Sequence, residues 1–207
     1  MNKGTVFVVS GPSGSGKDTI LQEVFLKRPD IFFSISCVTR KMRSNESDGE
    51  KYRFISREEF LKGLENNDFL EYNKYLENYY GTPKAPVMAQ IEKGNDVIIE
   101  VDVNGKNSIC NKLPEAVSVF ILPPSFNELK CRLSGRGTET EEQIKNRLDA
   151  ALSEIKSAVN YDYIIVNDVL STAVEDVLSV LNSEKLKTKN QKYLINEVFD
   201  HAESGNR

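Results

Sequence analysis

Four short runs of apolar residues punctuate the chain: Val6-Phe7-Val8-Val9-Ser10, Val97-Ile98-Ile99-Glu100-Val101, Val117-Ser118-Val119-Phe120-Ile121-Leu122 and Tyr163-Ile164-Ile165-Val166. Unbroken apolar runs of this length, rich in Val and Ile, read as strands buried on both faces. Between them the period changes to that of a helix, as at Ile20, Leu21, Val24 and Phe25. Strands alternating with helices predict an α/β fold with a doubly wound parallel sheet. Helix starts are marked by Ser56 with Glu59, Ser125 with Glu128, Thr140 with Gln143 and Thr172 with Glu175, each with capping-box spacing. Gly94 stands where a helix end favours a left-handed residue, and Pro123-Pro124 closes the third run.

Residues 35–86 break this rhythm. They are rich in aromatic and polar side chains and read as an inserted substrate-binding subdomain of short strands with one helix. Beyond Asn182 the chain turns polar and lysine-rich. A weakly amphipathic stretch follows through Tyr193, Leu194, Val198 and Phe199, either a helix docked on the core or a partner, or a loose tail.

The first strand runs into Gly11-Pro12-Ser13-Gly14-Ser15-Gly16-Lys17, and a helical pattern follows at once. Strand, glycine-rich loop, lysine and helix in this order form a phosphate-binding P-loop. Glycines let backbone N–H groups close on an anion, the helix N-terminus adds partial positive charge, and Lys17 meets the terminal phosphates. After Lys17 the usual Ser or Thr is replaced by Asp18, with Thr19 next. A carboxylate there either helps hold a hydrated Mg²⁺ or only repels phosphate, and the residue type leaves both open.

Composition narrows the classes. At 207 residues, with 39% hydrophobic and 28% charged content, the chain suits one domain with a substantial core. A net charge of −4 argues against a general nucleic-acid or membrane-surface binder, so an anion site must be a local cluster of cations. Cys37, Cys110 and Cys131 are odd in number and widely spaced, which fits reduced thiols in the cytoplasm rather than a zinc site or disulfide framework. The single histidine, His201, lies in the polar tail and leaves no histidine for acid–base chemistry in the core. No signal peptide and no apolar run long enough to span a membrane is read.

Two further clusters carry chemistry. Arg40 and Arg43 are three residues apart, and their guanidinium forks suit bidentate phosphate binding. Glu100 and Asp102 fall at the C-terminal end of a buried strand, where ligands of open α/β sheets gather.

With residues 34–43, Asp48-Gly49 ahead of Tyr52, Phe69-Leu70-Glu71-Tyr72, Asn78-Tyr79-Tyr80-Gly81-Thr82 and residues 100–105, the P-loop closely resembles the guanylate kinase family. Residues 121–125, Gly135-Arg136-Gly137-Thr138-Glu139-Thr140, Arg147-Leu148 and Val166-Asn167-Asp168 extend the likeness over residues 4–182. The resemblance implies a P-loop NTPase fold spanning residues 1–182, with a GMP-binding subdomain at 35–86, a lid at 127–157 and a polar tail at 183–207. It implies that Arg40, Arg43, Tyr52 and Tyr80 hold the GMP phosphate, and that Ser36, Glu71, Thr82 and Asp102 read the guanine. Gly11, Pro12, Ser13, Gly14, Ser15, Gly16, Lys17, Asp18, Thr19, Arg132 and Asn167 would contact ATP. Lys17, Arg40, Arg136 and Arg147 would offset charge in the transfer. Glu100 would organise Mg²⁺ through water, with Asp18 or Thr19 as a further contact. The implied reaction moves the ATP γ-phosphoryl group to GMP or dGMP in a cytoplasmic monomer or homodimer.

The residues themselves bear on guanine. It presents N1–H and an exocyclic amine, and one carboxylate can accept from both. Two rivals share the scaffold. A ribose 1,5-bisphosphate kinase is suggested by the Gly-Lys-Asp turn, and a non-catalytic interaction module by the family's scaffold-protein members. Met42 stands where family members usually carry Pro.

Overall fold

Within Val6–Ser10 (β1) the period-2 alternation sends side chains to two different cores. Phe7 and Val9 join one cluster and Val6 and Val8 the other, and β1 is buried throughout. A strand buried on both faces needs helices on both faces, and the computed structural model supplies them. The structure describes residues 3–44, 46–134 and 140–204, the last five by backbone alone.

Along the chain, β1 leads to α1 (Lys17–Lys27), β2 (Phe32–Phe33), β3 (Ser36–Val38), β4 (Tyr52–Phe54), α2 (Arg57–Glu65), β5 (Phe69–Tyr75) and β6 (Asn78–Pro83). Then follow α3 (Lys84–Glu92), β7 (Val97–Glu100), α4 (Val103–Lys112), β8 (Val117–Leu122), α5 (Phe126–Ser134), α6 (Glu141–Lys156), β9 (Tyr163–Val166), α7 (Leu170–Leu186) and α8 (Thr188–Ser204). The main sheet has the order β2-β7-β1-β8-β9, and every pairing in it is parallel. The four apolar runs of the sequence are its β1, β7, β8 and β9, as expected. One core holds Ile20, Leu21 and Val24 of α1 with Val174, Val177 and Leu181 of α7. The other holds Val87 and Ile91 of α3 with Ile109 of α4.

Residues 36–83 build a second sheet, ordered β4-β3-β6-β5, with α2 laid on it. Its small core is Cys37, Phe60 and Phe69, and the two phenyl rings stack at 4.4 Å. Full burial of Phe60 alone contributes about 1.5–3 kcal/mol.

The caps at Ser56 and Thr140 are complete boxes, and Ser125 accepts from the Glu128 amide at 3.1 Å. The start expected at Thr172 is corrected: α7 begins at Leu170, with Val169 as its cap and no side-chain capping bond. Packing of α7 on α1 overrides the local signal, and Glu175 pairs with Lys27 of α1 instead. The tail is a helix. After Lys187 the chain turns a corner held by Asn190 Nδ2, which donates to the Glu184 carbonyl at 2.8 Å. Residues 192–199 of α8 are exposed. Among the described residues no helix is long and apolar enough to cross a membrane.

Candidate active site

The P-loop fills the turn between β1 and α1 at the C-terminal edge of the main sheet. Gly16 caps α1 with φ +85°, a left-handed conformation that side chains resist. A methyl group there would also meet Asn167 Nδ2 at 2.2 Å. At Gly11 the same addition would strike the Ile121 carbonyl at 2.4 Å. Gly16→Ala therefore combines backbone strain with a clash against a buried amide. It is expected to cost about 2–4 kcal/mol, read as a loss of roughly 4–16 °C in melting temperature by calorimetry.

The loop is braced by side chains from other elements. Asn167 Nδ2 donates to the Ser15 carbonyl at 2.8 Å, and Arg132 reaches the Ser15 carbonyl at 3.4 Å and the Asn167 carbonyl at 3.1 Å. Arg132 is also held by Glu128 at 2.9 Å, one turn earlier on α5. Asn167 is 7% exposed, and neither it nor Arg132 lines the cleft. Arg147 of α6 donates to the Ser13 hydroxyl. Arg136 lies outside the described residues, as do Gly135, Gly137, Thr138, Glu139 and the His201 side chain.

A cleft of about 410 Å³ separates the P-loop from the second sheet. Lys17 and Glu100 lie on one wall, 3.6 Å apart, with Asp102 beyond them. Burial pushes the Glu100 carboxyl up, and the charge of Lys17 offsets this in part. Ser36, Tyr52, Glu71 and Tyr80 lie on the other wall. The register of the second sheet explains this convergence. Ser36 pairs with Tyr52, and Glu71 with Thr82 across the antiparallel pair.

Glu71 is 7% exposed, and Thr82 Oγ1 donates to its Oε1 at 2.7 Å. Burial pushes this carboxyl above its ordinary value, against the Thr82 hydrogen bond. Thr82 is fully buried and touches the cleft only through Glu71. Asp102 caps α4 by accepting from the Gly105 amide at 2.7 Å, and its other oxygen accepts from Asn73 Nδ2 at 3.0 Å.

Arg40 forms a bidentate pair with Glu46, both contacts at 2.6 Å, and stands 5.3 Å from the Tyr52 ring centre. Glu46 also accepts from the Arg43 amide at 2.9 Å. The Arg40 fork, then the Arg43 amide, hold the Glu46 carboxyl down to about 2. Here a carboxylate occupies the two-pronged face that also matches a phosphate. Asp18 is paired with Lys51, and Thr19 lies exposed in the first turn of α1.

Several cleft residues escape a motif-based reading, namely Ser34, Lys51, Asn73 and Glu154. Two carry a periodic signal, and a third is the neighbour of a motif residue. Asn73 is two residues after Glu71 on the same strand face, Glu154 is two helical turns after Arg147, and Lys51 directly precedes Tyr52. The buried Ser34 hydroxyl has no hydrogen-bond partner among the described residues.

A phosphate loop at the carboxyl edge of a parallel sheet, facing cations and carboxylates on a separate small sheet, defines a P-loop mononucleotide kinase architecture. Residues 3–184 match the family model described as guanylate kinase. A guanylate kinase of Carboxydothermus hydrogenoformans is 49% identical over 94% of this chain and 96% of its own length. One of Clostridioides difficile is 45% identical over 96% and 97%. The crystal structure of guanylate kinase from Anaplasma phagocytophilum superposes with a TM-score of 0.74 at 30% identity, covering 90% of this chain and 89% of that one. The chain belongs to the guanylate kinase family.

Proposed function

We propose that the protein catalyses reversible, Mg²⁺-dependent transfer of the ATP γ-phosphoryl group to GMP or dGMP, giving ADP and GDP or dGDP. The observation that carries this reading is one cleft with Lys17 of the P-loop on one wall and a buried Glu71 on the other. Residues 35–86 serve as the GMP-binding subdomain, residues 127–157 as the lid, and residues 183–207 lie outside the catalytic unit.

Glu71 accepts from guanine N1–H and the 2-amine, and Thr82 fixes its orientation by occupying Oε1. Adenine offers neither donor, and the misfit leaves a buried acceptor unpaired at a cost of about 1–3 kcal/mol. Ser36 and Asp102 complete the base site. Arg40, Arg43, Tyr52 and Tyr80 take the monophosphate, which displaces Glu46 from the Arg40 fork. The loop from Gly11 to Thr19, through its backbone N–H groups other than at Pro12, and the Lys17 ammonium hold the ATP phosphates. Arg147 and Arg136 spread the charge of the transferred group. Arg132 and Asn167 support the loop from the protein side.

Among the described residues there is no cluster of three or more metal-ligating side chains. That suits Mg²⁺, which keeps several waters and takes phosphate oxygens with one or two carboxylates. Glu100, beside Lys17, is the carboxylate that would hold it through water. When bound, the ion neutralises phosphate charge. An acceptor phosphate oxygen attacks in line, so no side chain need act as nucleophile. The protein's part is positioning, charge neutralisation and exclusion of water. We place the enzyme in the cytoplasm, a reducing compartment that suits its three free cysteines, and take it to act as a monomer or homodimer.

The test is an ADP-release assay with Mg·ATP and, separately, GMP, dGMP, AMP and ribose 1,5-bisphosphate. Turnover is expected with GMP and dGMP. Turnover with the sugar phosphate alone would redirect the assignment to that kinase class. Binding of GMP without turnover would leave an interaction module.

A further inference from the structure

Asp18 is the departure in the P-loop sequence, and it is paired with Lys51. Lys51 lies in the turn that leads into the other sheet, one residue before β4 begins at Tyr52. The pair therefore bridges the cleft, from the first turn of the P-loop helix to the edge of the second sheet. Lys51 lines the cleft with Lys17, Glu100, Tyr52 and Tyr80. Both side chains of the pair are about half exposed, at 49% and 56%, so the pair adds little stability. Its location is what sets it apart.

The cleft must bring two polyanions into contact. Lys17 approaches that point from the side of the P-loop, and Lys51 approaches it from the opposite wall. We propose that Lys51 is a second lysine facing the transferred phosphoryl group, and that Asp18 is its positioning residue rather than a metal contact. This rests on the phosphotransfer reading above. Lysine is a compact charge on a flexible stem, so its ammonium can exchange the Asp18 carboxylate for a phosphate oxygen without moving the backbone. Arginine, Arg40 being the example at 2.6 Å from Glu46, holds a fixed fork and suits a resting phosphate better.

In the step itself the γ-phosphorus–oxygen bond to ADP breaks, and a bond forms from the same phosphorus to an acceptor phosphate oxygen. Lys51 offsets charge on the group in transit and gives up no proton. The carboxylates that face it are Asp18 and Glu100. Burial opposes charging of Lys51, but the Asp18 hydrogen bond, the Glu100 charge and the Asp18 charge together outweigh it and hold the ammonium above its ordinary range. Asp18 is correspondingly held low by Lys51 against the effect of burial.

The experiment uses the full chain, with Lys51→Met, Lys51→Arg, Asp18→Asn and the Lys51→Met/Asp18→Asn double variant. Steady-state kcat and KM for GMP and ATP are measured, with a Mg²⁺ titration and calorimetric GMP binding as a check on folding. Lys51→Met is expected to lower kcat about 10- to 30-fold with KM for GMP within about threefold. Lys51→Arg, which keeps the charge but fixes it in a fork, should recover part of the loss, with kcat between those of Lys51→Met and the parent. Asp18→Asn should lower kcat about threefold and leave the Mg²⁺ half-saturation unchanged, and the double variant should match Lys51→Met alone. A Lys51→Met kcat within about twofold of the parent, or a shifted Mg²⁺ half-saturation in Asp18→Asn, overturns the proposal. An unmodified chain that binds GMP but never turns it over would instead remove the reading on which it rests, and the proposal with it.

Discussion

Lys17→Met is expected to lower kcat by about 100- to 1,000-fold while GMP binding stays within about threefold. The side chain stands at the start of α1, 3.6 Å from Glu100, in the wall of the cleft away from Glu71. Methionine retains most of the aliphatic stem, so packing is largely kept and the lost quantity is charge. That charge is worth most when the phosphoryl group is between donor and acceptor, in a cleft that excludes water. Glu100 loses its cationic partner in the variant, so its carboxyl should rise further in the ligand-free protein. Rapid-quench turnover with calorimetric GMP binding measures both parts. A kcat within tenfold of the parent would remove Lys17 from the transfer site.

Glu71→Gln is expected to have opposite effects on recognition and on stability. An amide has one acceptor and one donor where guanine needs two acceptors. The variant loses a charge-assisted hydrogen bond and gains a donor–donor contact, together about 2–4 kcal/mol. The preference for GMP over AMP, as kcat/KM, should fall by roughly 100-fold.

Without ligand the same change should stabilise the fold. Burial raises the Glu71 carboxyl above its unfolded value, so the folded state binds more protons there than the unfolded one. The folded state bears the full cost of the buried charge once the pH is above the raised value. The cost vanishes as the pH falls below the ordinary carboxylate range. Glutamine removes it and keeps an oxygen for the Thr82 hydroxyl. Melting temperature should therefore rise at pH 7 and converge with the parent as the pH falls below the ordinary carboxylate range. Unchanged selectivity would exclude Glu71 as the base reader, and an equal or lower melting temperature at pH 7 would exclude the burial cost.

Both predictions depend on residues that motifs expose. Lys17 follows a glycine loop placed between an apolar strand and an amphipathic helix, and Glu71 lies in an apolar run of the inserted segment. Such signals are local: a loop that cradles phosphate must be continuous in sequence, because consecutive N–H groups form the cradle. The capping boxes at Ser56 and Thr140 are legible for the same reason, since each partner is three residues from the other. The one at Thr172 misleads because the start of α7 is set by packing against α1.

By itself the sequence determined the four apolar strands of the main sheet, their parallel α/β arrangement, the phosphate loop and the family. These follow from period, local spacing and residue type. Tertiary structure alone decided how the cleft is wired. It assigned Arg132 and Asn167 to the Ser15 carbonyl, Glu46 to the Arg40 fork, Asn73 to Asp102 and Lys51 to Asp18. Except for Glu46, these partners are about 30 or more residues apart and on different elements. Charge and hydrogen-bonding capacity are written in each residue, but which groups meet depends on how two sheets are set against each other, and that is a property of the packed cores.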